Sequence, residues 1–88
     1  MKSNNDIIDD FYSKKLSNNR NLTSTGNKLI SYNTTIAERI VVNDVEHIVK
    51  NITNYSRSTS KHQSLVNKYD YITTKDVPVN TANLKKYI

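Results

Sequence analysis

The sequence predicts an α+β fold: an amino-terminal helix, a small antiparallel sheet of two or three strands between about Lys28 and Tyr55, a helix packed on one face, and a short C-terminal helix. Three observations predict it. Ile7, Ile8, Phe11 and Tyr12 recur at spacings of three and four, as on one stripe of a helix. The β-branched run IAERIVV (Ile36–Val42) is followed by the turn formers Asn43 and Asp44 and then by Val45, the pattern of a tight hairpin. Helical spacing then returns in Leu65, Val66, Tyr69 and Ile72. The chain divides into a helix and linker over 1–26 and a single small α+β domain over 27–88.

The first helix is expected over residues 4–17. Ser3 with Asp6 three positions on suits an N-terminal cap, Asp6, Asp9 and Asp10 lie in the first turns, and Lys14 and Lys15 lie near the end, all favourable to the helix dipole. A helix of about 14 residues is marginal alone, so its apolar stripe needs a partner, in this chain or on another molecule. Ser17 to Asn27 reads as a linker. Within it Gly26-Asn27 suits positive backbone φ just ahead of a strand.

KLISYN (Lys28–Asn33) is the first expected strand, Thr34-Thr35 a short link, and Ile36–Val42 the second strand with Ile36, Ile40 and Val42 on one face. Val45–Lys50 forms the return strand of the hairpin; Val45, Ile48, Val49 and Ile52 also fit a helix capped by Asp44, but the excess of Val, Ile and Thr favours the strand. Ser60 and Gln63 have the spacing of a capping box, which starts the second helix at Lys61 and carries it to about Tyr71. Val77-Pro78 enforces an extended stretch, and Thr81 caps a last short helix bearing Leu84, Tyr87 and Ile88.

With 88 residues, the chain buries only about 60% of the surface its unfolded form exposes, so the core is thin. Thirteen Asn, nine Ser and nine Thr make the polarity mostly uncharged, a composition that matches codon drift in an AT-rich genome. The absence of Cys excludes a disulfide framework, a thiolate zinc site and a cysteine nucleophile. No apolar run approaches the roughly 18 residues of a membrane span, and the first residues lack a signal peptide's basic-then-apolar order, so a cytoplasmic setting without membrane contact is expected.

Net charge is +5, and the excess falls on residues 50–75, which carry Lys50, Arg57, Lys61, Lys68 and Lys75 against Asp70 alone. Such a patch attracts phosphates or an acidic protein surface, or is simply a solvated face. Catalytic equipment is sparse. His47 and His62 stand apart from any metal-ligand spacing, there is no glycine loop for a phosphate, and no GxSxG elbow. The expectation is a protein without a cofactor, a metal or an enzymatic activity. His62, in the first turn of the helix predicted from Lys61, can join Lys61 in holding an anion at free amides, or can pack against the sheet. Tyr32, Tyr55, Tyr69 and Tyr71 can stack on bases, anchor an interface or fill the core.

The segments SYNTTIAER (Ser31–Arg39) and NYSRSTSKHQS (Asn54–Ser64) resemble a small domain family of phages, prophages and plasmids of low-GC Gram-positive bacteria, whose members carry SYxTxIA, a β hairpin and then YSxTTSKHQ. Tyr32, Thr34 or Thr35, Ile36, Ala37, Tyr55, Ser56 and Ser58 to Gln63 carry the likeness over roughly residues 28–66, with Ser58 standing where members have Thr. The resemblance implies no activity for any residue. It implies a setting, the accessory proteins of mobile elements, which include anti-CRISPR proteins and other host-defence inhibitors as well as small DNA-binding regulators. The function expected is therefore stoichiometric inhibition or modulation of a host nucleic-acid machine, a protein or ribonucleoprotein effector in the bacterial cytoplasm, through Tyr55, Arg57, Lys61, His62 and Lys68. Direct binding of DNA or RNA by the same basic face is the alternative.

Overall fold

The computed structural model describes residues 2–88. Their elements run α1 (Asn4–Tyr12), β1 (Leu16–Asn18), β2 (Leu22–Thr25), β3 (Lys28–Ser31), β4 (Thr34–Val42), β5 (Val45–Asn51), α2 (Arg57–Leu65) and β6 (Ile72–Thr74), with a 3-10 turn at Lys85–Tyr87. All six strands join one sheet in sequence order, antiparallel as far as β5, with β6 parallel to β5. The fold is α+β, but the expected two or three strands are corrected to six in a mixed sheet.

The extra strands come from the two ends of the predicted sheet. Ser17 to Asn27, read as a linker, supplies β1 and β2, joined by a turn in which the Asn19 side-chain oxygen accepts from the amides of Asn21 and Leu22, both at 2.8 Å. At the other end α2 is the crossover that lets β6 lie parallel to β5, as a parallel neighbour requires.

Helix α1 is shorter than expected. Its capping box is present, with the Asp6 amide donating to Ser3 Oγ at 3.1 Å and the Ser3 amide donating to Asp6 Oδ2 at 3.2 Å. It stops at Tyr12 because Lys14 turns into the left-handed region (φ 60°) and Leu16 enters the edge strand, 81% exposed. Gly26 has φ +92°, and a Cβ there would stand 3.2 Å from the Lys14 carbonyl oxygen, so the β2–β3 turn needs the glycine. The β4–β5 hairpin turns at Asn43 and Asp44, both at positive φ (51° and 64°), the conformation that Asn and Asp tolerate best after Gly.

Two expectations about β3 and β4 are corrected. The turn between them is Tyr32-Asn33 rather than Thr34-Thr35; both threonines are buried in β4 as acceptor and donor, from the Asn80 amide (2.9 Å) and to the Ala82 carbonyl (2.8 Å). Ile36, Ile40 and Val42 do not share a face. The register slips between Leu29, opposite Ala37, and Ile30, opposite Thr35, which leaves Ile36 as a bulge and rotates it toward α1.

The sheet thus has a core on each face. Ile7, Ile8 and Phe11 of α1 pack with Leu22, Leu29, Ile36, Ala37 and Val66 on the helical face. Ile40, Val49, Val77 and Leu84 form a second cluster beneath the C-terminal segment. That segment is pinned where the Leu84 amide donates to Glu38 Oε1 (2.8 Å) and Thr74 Oγ1 to the Tyr87 carbonyl (2.7 Å). The expected C-terminal helix is only the 3-10 turn, because Thr81 donates to the Pro78 carbonyl instead of capping.

Helix α2 begins at Arg57, not Lys61. Ser56 is its N-cap, accepting from the Thr59 amide at 3.3 Å, and the box expected between Ser60 and Gln63 does not form. Gln63 instead turns inward and donates to the carbonyls of Asn51 (2.7 Å) and Thr53 (3.0 Å). The helix ends at Leu65, and Ile72 pairs with Val49 in the sheet.

Candidate binding surface

Starting α2 four residues early changes what its side chains do. Arg57 and Lys61 stand one turn apart, both exposed, on a helix that holds no acidic residue. Thr59, His62 and Gln63 face inward and are buried. Of the two alternatives the sequence offers for His62, an anion site at the free amides and packing against the sheet, it takes the second, with Nδ1 2.7 Å from Ser31 Oγ. Ser31 Oγ also lies 3.4 Å from Thr59 Oγ1, which accepts from Ser56 Oγ at 3.2 Å, and the Tyr32 ring lies 5.7 Å from the imidazole.

A Ser–His hydrogen bond is the beginning of a nucleophile–base pair. Ser31, however, is 0% exposed, so a substrate cannot reach its oxygen, and the bond fastens α2 to β3. Burial first, and the Lys61 charge second, lower the His62 pKa from its ordinary value. The unfolded chain then takes up a proton below about pH 6.5 that the folded chain refuses, so stability falls as pH falls from that point until the folded pKa is passed. The unfolding free energy from urea titrations is expected to drop between pH 7.5 and 5.5, by at most about 1.4 kcal/mol per pH unit for one proton, and His62→Gln is expected to remove that part of the slope.

Tyr55 is also a structural side chain. Its hydroxyl donates to the Val77 carbonyl at 2.6 Å and accepts from Asn51 Nδ2 at 2.9 Å, bridging β5 to the C-terminal segment. Of the five residues singled out from sequence, then, Arg57 and Lys61 form one exposed pair and Tyr55 and His62 are tied into the fold. Lys68 belongs elsewhere: its Nζ sits 5.5 Å from the Tyr12 ring centroid and 5.6 Å from that of Tyr69.

Lys68 marks a cluster that the sequence order conceals. The Tyr12 and Tyr69 rings meet edge to face at 5.3 Å, and the hydroxyls of Tyr12 and Tyr71 are 2.5 Å apart. Tyr71 Oη accepts from the backbone amides of Lys68 (3.1 Å) and Tyr69 (3.2 Å), which fixes the loop after α2. Burial, and then the bond to Tyr71, raise the Tyr12 pKa. Arg39, from β4, reaches under α1: Nη1 donates to the Gly26 carbonyl (2.5 Å) and Nη2 to those of Phe11 (2.6 Å) and Tyr12 (3.0 Å), while its guanidinium lies 4.5 Å from the Phe11 ring centroid. Cations are favoured at a helix C-terminus for this reason. Among the described residues no carboxylate comes within ion-pair distance of Arg39, and burial lowers its pKa. Lys50 is similarly committed, donating to the Val66 carbonyl at 2.7 Å.

Between these groups and β5 opens a cleft of about 340 Å³ with Ile48, Tyr12, Tyr69, Arg39 and His47 on its walls. Lys14 and Glu46, 3.3 Å apart, and Asp70 complete its rim. Tyr69 was identifiable as a candidate stacking ring, whereas Tyr12 and Arg39 carried no sequence signal for the site, since 27 residues separate them. Among the described residues no helix is long and apolar enough to cross a membrane, and no three His, Asp or Glu side chains are grouped to hold a metal ion. Comparison with known protein families, with curated proteins and with solved structures finds no match to this chain.

Proposed function

We propose that this chain is a non-enzymatic accessory protein, of the kind carried by mobile elements, that inhibits or modulates a host nucleic-acid machine by stoichiometric binding through α2. The observation that carries the reading is the pairing of Arg57 and Lys61 on an exposed helix face without a carboxylate, on a helix whose inner side chains are all spent on the fold. A rigid cationic face of that kind complements an acidic patch on a protein, or the phosphates of the nucleic acid that a ribonucleoprotein carries, and it speeds encounter more than it deepens affinity. The resemblance of Ser31–Arg39 and Asn54–Ser64 supplies the setting, in which an anti-CRISPR role is one form of the activity.

The test is affinity capture from a nuclease-treated low-GC Gram-positive host lysate with the full chain and with the Arg57→Glu, Lys61→Glu double variant. One nucleic-acid-processing protein or ribonucleoprotein at equal stoichiometry is expected with the first, and about a tenfold or greater loss with the second. Capture indifferent to the charge reversal overturns the role of α2. Steeply salt-dependent binding of random duplex, with no protein partner, replaces the reading by direct DNA or RNA binding.

A further inference from the structure

Tyr69 is an aromatic ring left 53% exposed, yet it is not loose. Its own amide and that of Lys68 are held by Tyr71 Oη, Tyr71 is held by Tyr12, and the Tyr12 ring braces that of Tyr69 edge to face. A ring braced by Tyr12, on a backbone held by Tyr71, and still presented to water is a platform whose conformational cost has in part been met before a ligand arrives. Beside it the cleft offers an apolar floor at Ile48 and a volume of about 340 Å³, the size range of small-ligand sites.

The charges around the platform are unequal. The cleft sets Lys14 and Arg39 against Glu46 and Asp70, with Glu46 3.3 Å from Lys14, and Lys68 beside the Tyr69 ring adds one further cation. Arg39 is held by carbonyl oxygens alone and keeps its full positive charge at the cleft wall. An aromatic face, an apolar floor and one cation in excess of the carboxylates suit a flat ring that carries an anion. A free phosphate would leave Tyr69 and Ile48 unused, and an acidic peptide would leave the ring face uncovered.

We infer that the Tyr12–Tyr69 cleft is a site for one unpaired base of a single-stranded nucleic acid, the base stacked on Tyr69 and its phosphate facing Lys68. Stacking on an aromatic platform is tolerant of base identity and requires a base that is free of its neighbours, so the site discriminates strand state rather than sequence. A duplex keeps both faces of each base covered and offers only its phosphates. The inference does not depend on α2 being a protein contact.

Fluorescence anisotropy of the full chain with a short labelled oligothymidylate, and with a duplex of the same length, tests it at low salt. The single strand is expected to bind more tightly than the duplex. Tyr69→Ala is expected to weaken single-strand binding by about fivefold to a hundredfold, the range for loss of one stacked base, and Tyr69→Phe to retain it. Lys68→Gln is expected to lower the slope of log affinity against log salt by about 0.7, one phosphate's share. Equal affinity for strand and duplex, an unaffected Tyr69→Ala variant, or no binding at low salt each overturns the inference. Because Tyr69 is half in water, the variants are expected to melt with the native chain, so a lost signal reports the site and not the fold. Host-protein capture that depends on Arg57 and Lys61 bears on the other reading alone.

Discussion

A chain beginning at Asn27 is expected to show no cooperative unfolding transition. Ile7, Ile8, Phe11 and Leu22 are four of the eight buried residues in the cluster on the helical face, and all four are at most 3% exposed. Without them Leu29, Ile36, Ala37 and Val66 face water, β3 becomes an unpaired edge, and Arg39 loses the Phe11, Tyr12 and Gly26 carbonyls that hold it. Stability of a chain this size is roughly 4–13 kcal/mol, and truncating a single buried Phe commonly costs about 3–5 kcal/mol. Phe11→Ala is therefore expected to lower stability by about 3–5 kcal/mol by itself, and removal of residues 1–26 to exceed what the domain has. Far-UV circular dichroism against urea reads both. A sigmoidal transition in the truncated chain with a midpoint near that of the intact one would show that α1 is an appendage and not core.

That result also explains why the sheet was legible only at its centre. The β4–β5 hairpin announces itself because Val42 and Val45 flank two residues that tolerate positive φ, and α1 because Ser3 and Asp6 form a box before an apolar stripe. Strands β1 and β2 have one leucine each among Ser, Thr and Asn, so they read as linker. Their inward positions are filled by hydroxyls with partners: Ser24 is buried, donates to the Lys15 carbonyl at 2.7 Å and accepts from the Gly26 amide at 3.3 Å. A thin apolar core is thus extended by hydrogen-bonded Ser, Thr, Asn and Gln, including Ser31, Thr35, Asn51 and Gln63, each satisfied by a group distant in sequence. Such residues have no periodic signature, because burial of a polar side chain depends on a partner that sequence spacing does not reveal. The start of α2 failed for the same reason. Ser56 and Ser60 are equivalent caps until Gln63 is claimed by the Asn51 and Thr53 carbonyls. In the candidate site the cations were legible as an excess over residues 50–75, but Tyr12 and Arg39 were not, since α1 and β4 meet Lys68 and Tyr69 only in the folded chain.

Asn51→Leu is expected to be the most damaging substitution in the sheet outside the apolar clusters. Asn51 is fully buried, and its side chain makes three bonds: Nδ2 to the Thr35 carbonyl (3.1 Å), Nδ2 to Tyr55 Oη (2.9 Å), and Oδ1 from the Thr53 amide (3.0 Å). Through Tyr55 and Val77 this network reaches the C-terminal segment, and through the Asn51 carbonyl and Gln63 it reaches α2. Leucine has nearly the same shape and none of the bonds, so buried polar groups on β4, on the chain after β5 and on Tyr55 lose a partner together. At about 1–3 kcal/mol for each group left unsatisfied, a loss of about 3 kcal/mol or more is expected in urea titrations. Asn51→Asp separates hydrogen bonding from volume. At neutral pH it sets a carboxylate against the Thr35 carbonyl where a donor stood, whereas a protonated carboxyl can donate there. Its folded pKa is then raised above the unfolded value, so the deficit relative to the native chain at the same pH is expected to be large at pH 7 and to shrink as pH falls toward 4. The comparison must be made at matched pH, because His62 independently destabilises the native chain in acid. A deficit of the same size at both pH values would mean that Asn51 fills space and that the network does not bind the sheet to α2 and to the C-terminal segment.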